Sequence, residues 1–278
     1  MKKIRGILRC VVAVFSVWAC LRCGRQYLES VGEYRRGEED LARVYAAAKT
    51  QRKEEKTGPE GAVKPLIPDY APLLAENEDV TGWLRIEGLT VDYPVMCRPS
   101  DPDFYLNHGF DKAPSAYGMV YMEAACVRDA ECRNVLLYGH HMKNGAMFGA
   151  LDEYISPEFG RAHPLIRFDT LETPGVYRLV AVLCRPAGEL TEEFTKQLLA
   201  ETKEEYEAFI KYVSEERLYD TGFLPEWPKR LVTLMTCEYT RPDGRLFVIA
   251  GEIEGAGFRS RCQLSKKITL QFTANTIK

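Results

Sequence analysis

From Gly82 onward the chain is a series of short apolar runs broken by turn residues. The runs are Gly82 to Glu87, Val91 to Cys97, Tyr117 to Met122, Asn134 to Tyr138, Leu165 to Asp169, Val176 to Cys184, Arg230 to Cys237 and Arg245 to Glu252. Branched and aromatic residues dominate them, and Glu87-Gly88, Thr173-Pro174-Gly175 and Pro242-Asp243-Gly244 supply turns, so each run reads as a strand. One stretch has a different period. From about Thr191 to Leu218, Phe194, Leu198, Tyr206, Phe209, Ile210 and Val213 fall at helical spacing among Glu and Lys, which predicts one long amphipathic helix. Many strands with one crossover helix make the chain mainly β, and a closed barrel is the expected architecture.

Upstream the pattern changes twice. Lys2, Lys3, Arg5 and Arg9 precede an apolar run from Cys10 to Leu21 that Arg22 and Arg25 close. A spanning helix needs about 20 apolar residues, and arginines at both ends can reach the headgroups, so residues 7–23 are expected to form a transmembrane signal anchor. The basic residues ahead of it place residues 1–6 in the cytoplasm and the remainder outside the cell. A cleaved signal peptide is the rival, although Ala19-Cys20-Leu21-Arg22-Cys23-Gly24 offers no A-x-A site. Residues 24–56 are charged and helix-prone, a stalk with a thin apolar face; 57–69, rich in proline and glycine, read as a linker. A compact domain is expected over 70–255 and a tail of no assigned role over 256–278.

Charge and cysteine content narrow the function. The 37 basic and 40 acidic residues leave a net charge of -3, so no global field would draw the protein onto nucleic acid. Nine cysteines include no C-x-x-C pair with a matching second half, so no zinc site and no other metal or cofactor is expected. Cys126 and Cys132 are close enough in sequence to raise the question of a disulfide, which depends on how near the fold brings them.

The candidate chemistry sits in "TLMTCEYTRPDGRLFVIAG", residues 233–251. A hairpin through Pro242-Asp243-Gly244 would set Cys237 and Arg245 opposite each other at its mouth, a thiol beside a guanidinium. A lone cysteine is commonly a small buried hydrophobe, so a base is needed. Among the four histidines, His140 and His141 lie where a strand runs into Gly139, which would turn the chain and leave a side chain facing a groove. His108 and His163 read as hydrogen-bonded loop residues. Cysteine, histidine and arginine at three strand ends supply a nucleophile, a proton carrier and an oxyanion donor.

"TLMTC" with an arginine leading the next strand, and "YGHHMKNGAMFGALDEY", resemble the signature regions of class B sortases. "ENEDVTGWLRIEGLTVDYPV" and "DPDFYLNHGFDKAPSAYGMVYM" extend the likeness, in order, over roughly Asp69 to Glu254. The resemblance implies an eight-stranded sortase-type barrel with added helices, preceded by the membrane helix. It implies a cysteine transpeptidase, single-pass in the cell membrane, that cleaves secreted proteins after the Thr of an N-P-x-T or S-P-x-T sorting signal. The acyl group would pass to an amine of a peptidoglycan precursor or of a pilin. Residue by residue, Cys237 matches the nucleophile, His140 the histidine and Arg245 the arginine. His141 is treated as a neighbour, Arg241 as the rival to Arg245, and Glu238 as either an orienting group or an exposed loop carboxylate.

Met235 stands where many class B members carry a small hydroxyl residue, on the same strand face as Cys237. With Tyr138 and Asn107 it completes the expected substrate-binding set. A cysteine hydrolase of another type, or a noncatalytic wall-associated binding module, would share parts of this pattern.

Overall fold

A computed structural model describes residues 15–25, scattered positions from 28 to 43, and 67–128, 132–171, 173–239 and 243–255. Eight strands carry the fold: β1 (Val80–Ile86), β2 (Asp92–Met96), β3 (Val120–Met122), β4 (Asn134–Tyr138), β5 (Leu165–Thr170), β6 (Gly175–Pro186), β7 (Leu231–Glu238) and β8 (Gly244–Gly255). They close into one barrel in the order β1-β2-β3-β4-β7-β8-β6-β5, with β5 returning to β1. Two contacts are parallel, β2 with β3 and β4 with β7; the others are antiparallel.

The strand runs seen in the sequence are all here, shifted at their ends. β3 is the shortest of them, because Tyr117 to Met119 form the approach to the strand rather than part of it. Leu84, Val95, Leu137, Phe168, Val182, Leu234 and Val248 are sealed from solvent, each side chain worth about 1.5–3 kcal/mol in transfer free energy. That burial makes the barrel a packed core and not a channel.

Among the described residues from 67 onward, five α-helices lie on the outside: α1 (Ile67–Glu76), α2 (Ala124–Arg128), α3 (Pro157–Ala162), α4 (Glu192–Leu199) and α5 (Lys203–Glu216). In α1, Tyr70 lies flat on Trp83 of β1, ring centroids 5.8 Å apart and 6° from parallel, which fastens the helix to the barrel. The single long helix expected from Thr191 to Leu218 is instead α4 and α5. Ala200 ends α4 in a left-handed conformation at φ 50°, and Thr202 then starts α5 with a capping box closed by Glu205. Both helices turn their apolar faces inward, burying Leu198, Tyr206, Phe209 and Val213.

Residues 15–25 are helical, with Phe15, Val17, Trp18 and Leu21 all more than half exposed. Among the described residues no helix is long and apolar enough to cross a membrane, and the first part of the expected anchor, 7–14, lies outside them. Most of the linker, 57–66, and the tail, 256–278, also lie outside the described residues. Within the stalk, Gly37 is buried against the ring of Tyr117: a Cβ there would stand 2.5 Å from Tyr117 Cδ2. The stalk therefore touches the barrel at a point where only hydrogen fits.

Candidate functional site

The site is built by two pairings of β7. On one side Cys237 stands opposite Arg245 in the antiparallel ladder with β8. On the other, Tyr138 of β4 is level with Met235 in the parallel ladder, and Gly139 N donates to Met235 O at 3.3 Å. Thr236 Oγ1 donates to Gly139 O at 2.8 Å and closes the end of this ladder. His140 follows two residues after Tyr138, just past the end of this ladder. Along β7 the half-buried Met235 and Cys237 alternate with buried Leu234, Thr236 and Glu238, so the first pair faces the groove and the second set faces the core.

Glu238 is thus not an exposed loop carboxylate. It is 1% exposed and packs beneath the hairpin against Gly244, where a Cβ would stand 2.6 Å from Glu238 Oε2. As the last residue of β7 it takes the pleat's inward direction, opposite to that of Cys237.

His140 is held from outside its own strand. Its Nε2 lies 2.7 Å from the carbonyl oxygen of Leu106, which can only accept, so Nε2 carries a proton and Nδ1 is the ring atom free to gain or lose one. Its own carbonyl accepts from Phe148 N at 2.9 Å. Gly139 serves this loop by closeness rather than by an unusual turn. A Cβ on it would meet the Phe148 ring at 2.8 Å, and its φ is not positive.

The Leu106 carbonyl is itself anchored. Tyr105 is 1% exposed; its hydroxyl donates to Asp79 Oδ2 at 2.8 Å and accepts from Asn77 Nδ2 at 2.9 Å. Asn77 Nδ2 also donates to Phe110 O at 2.6 Å. Asn77→Ala is expected to lower stability by about 2–3 kcal/mol, because it removes the donor to a buried hydroxyl and to the Phe110 carbonyl and the acceptor of Asp79 N. Urea unfolding checks this, an unchanged midpoint excluding the role.

Arg245 turns its Nη1 onto the hairpin's own carbonyls, 2.9 Å from Gly244 O and 3.5 Å from Asp243 O. Among the described residues no carboxylate pairs with it, so its charge stays available at the groove. Arg241, the rival, lies outside the described residues. Tyr138 donates from its hydroxyl to Glu123 Oε2 at 3.0 Å and leans on Tyr121, ring centroids 5.3 Å apart. Burial, reinforced by Glu123, holds that hydroxyl well above the ordinary phenol range. Tyr138 and Met235 flank each other on the groove face. Asn107 follows Leu106 and is exposed; its carbonyl accepts from Ser115 N at 2.9 Å, and its side chain joins none of these bonds.

Sequence reasoning missed Leu106, Glu123, Asp152 and Tyr239. Leu106 acts through its backbone and Glu123 through a partner on another strand, so neither carries a side-chain pattern. Asp152 lies 2.7 Å from His141 Nε2, and Tyr239 sets its ring edge-on to His141, centroids 4.9 Å apart. His141 is therefore committed to its own partners, while His140 faces Leu106. His108 and His163 are the loop residues expected. Each stacks on a phenylalanine, with ring centroids 3.9 Å from Phe104 and 4.4 Å from Phe159 respectively.

The barrel thus sets a cysteine and an arginine facing each other on neighbouring strands, with a histidine two residues beyond the end of a third. The likeness is to sortases, and to class B in particular. The chain is 29% identical over 202 residues to the sortase B of Listeria monocytogenes, an alignment covering 71% of this chain and 77% of that protein. It is 26% identical over 185 residues to the sortase B of Staphylococcus aureus, covering 66% and 74%. The crystal structure of Clostridium perfringens sortase B superposes with a TM-score of 0.60 at 26% identity, covering 66% of this chain and 99% of that one. No family model matches the chain. Its resemblance to class B sortases is carried by sequence and fold together.

Proposed function

We propose that the protein is a membrane-anchored transpeptidase that cuts secreted proteins after the Thr of an N-P-x-T or S-P-x-T signal and passes the acyl group to an amine. The observation that supports it most is the Cys237 and Arg245 pairing, with His140 presenting one free ring nitrogen at the same strand end.

The Cys237 thiolate attacks the Thr carbonyl carbon, and Arg245 holds the oxygen that gains the charge. As the tetrahedral intermediate collapses, His140 Nδ1–H protonates the departing amine, leaving a thioester on Cys237. An acceptor amine then attacks the thioester and yields its proton to the same Nδ1, and the Cys237 thiolate is freed. Tyr138 and Met235 form the groove wall beside the scissile bond, and Asn107 stands at its rim. The acceptor is an amine of a peptidoglycan precursor or of a pilin lysine. Sortase B of Staphylococcus aureus has been solved with a substrate, and a sortase B has been solved with triglycine. The exposed apolar side chains of 15–25, flanked by basic residues, support an anchor in the cell membrane with the barrel outside.

The test is intact-mass measurement of the full chain after incubation with a panel of N-P-x-T and S-P-x-T peptides. A thioester adduct on Cys237 that an added amine discharges into a ligated product supports transpeptidation. Release of free acid alone, with amine in excess, points to a cysteine hydrolase, and no adduct from folded protein points to a binding module. Arg245→Lys is expected to lower kcat/KM by about 10²-fold, since an ammonium cannot reproduce the planar fork. Near-normal turnover of that variant would remove Arg245 from the mechanism and turn attention to Arg241.

A further inference from the structure

At the end of β4 opposite to His140, two cysteines converge on one backbone oxygen. Cys126 Sγ, in α2, lies 3.4 Å from the carbonyl oxygen of Asn134, and Cys132 Sγ lies 3.1 Å from the same atom. They are 0% and 2% exposed. The neighbouring Cys132 thiol, together with burial, holds the Cys126 thiol well above its ordinary value. Both are free thiols in the structure, as are Cys97, Cys184 and Cys237.

We propose that Cys126 and Cys132 are the partners of an intramolecular disulfide that ties α2 to the start of β4. The two sulfurs already share one acceptor. The proposal rests on the extracellular placement of the barrel for its oxidant, a small-molecule disulfide RSSR, and on nothing else in the proposed reaction. One cysteine thiolate attacks RSSR and expels RS⁻; the second attacks the protein sulfur of the mixed disulfide and expels another RS⁻. Two RSH are formed, and the protein gives up two protons and two electrons. Because the folded barrel seals both sulfurs from solvent and hence from RSSR, the bond closes while the chain folds, and protein folded in reductant oxidises slowly.

The tie has a place in the site's architecture. α2 follows directly on Glu123, which accepts from Tyr138 at the groove, and β4 leads to His140. Fixing one to the other holds the far ends of both elements.

The experiment uses the full chain carrying Cys237→Ala, so that the groove thiol cannot exchange. It is refolded from denaturant in oxidised and reduced glutathione, or in reductant alone, then unfolded, alkylated with iodoacetamide and mapped as peptides. The expected result is a loss of two hydrogens and a peptide linking Cys126 to Cys132 that disappears on reduction. The oxidised protein should melt roughly 5 °C above the reduced one, a difference absent from the Cys126→Ala, Cys132→Ala double variant. Folded protein in which both cysteines are alkylated, or are joined to other cysteines, overturns the proposal. A parallel sample alkylated on intact expressing cells reads the same linkage without refolding. The readout is independent of turnover: a linked pair here, with no thioester formed by the chain that retains Cys237, would leave the disulfide standing and remove the transpeptidase reading.

Discussion

Cys237→Ala is expected to abolish cleavage of sorting peptides, lowering kcat/KM by at least about 10³-fold, and to leave no covalent adduct in the mass spectrum. The size follows from the chemistry: without sulfur there is no atom to carry the acyl group, and neither Arg245 nor His140 can replace it. The fold should survive. Cys237 is half-buried on the groove face, its ladder bonds to β8 come from the backbone, and alanine keeps the strand. The cost in stability is about 1 kcal/mol or less. Peptide cleavage and thermal melting measured on one preparation decide the matter, and cleavage that persists in folded Cys237→Ala ends the covalent mechanism.

His140 has the second largest expected effect, and its geometry allows a sharper test than deletion. His140→Ala should reduce kcat by about 10³- to 10⁴-fold, but it also removes the bond to Leu106, so lost positioning and lost proton transfer are mixed. His140→Gln separates them. A glutamine amide nitrogen can donate to the Leu106 carbonyl much as Nε2 does, yet it cannot exchange a proton at neutral pH. If His140 works through Nδ1, the glutamine variant melts near the parent and is as slow as the alanine variant. Substantial activity in His140→Gln would mean that the ring only braces the loop. The pH profile supplies a second readout, since the parent's dependence on histidine protonation should vanish in both variants.

Much of the barrel could be read in advance because its strands alternate branched and polar residues between clear turns, and periodicity reports on each strand by itself. The β7 to β8 hairpin is the best case. The Pro242-Asp243-Gly244 turn fixes which residues face each other, so Cys237 opposite Arg245 followed from counting. Pairings between strands distant in sequence left no such trace. Nothing local says that β4 lies parallel to β7, or that Leu106 reaches His140 from a loop 34 residues earlier. The class B resemblance carried the choice of His140, and the structure supplied its tautomer.

The helical region failed differently. The Thr202 and Glu205 capping box was present in the sequence, but continuous amphipathic spacing across Ala200 concealed the break, since alanine rarely adopts positive φ. For Glu238 an orienting group and an exposed loop carboxylate were both open, and its burial excludes the second. Its inward direction depends on β7 continuing one residue past Cys237, and strand ends are where periodicity says least.

The parallel contact of β4 with β7 also bears on when the protein acquires its chemistry. Asn134–Tyr138 must wait for Leu231–Glu238, and β8 must then arrive on the other side of β7 to bring Arg245. Such long-range pairings form late and slowly, because loop closure is unfavourable until both partners are present. A chain emerging from its N-terminus therefore has His140 long before it has anything for His140 to serve. The thiol comes under the influence of its neighbours only when almost the whole polypeptide has emerged, so incomplete or stalled chains would be inert toward passing peptides.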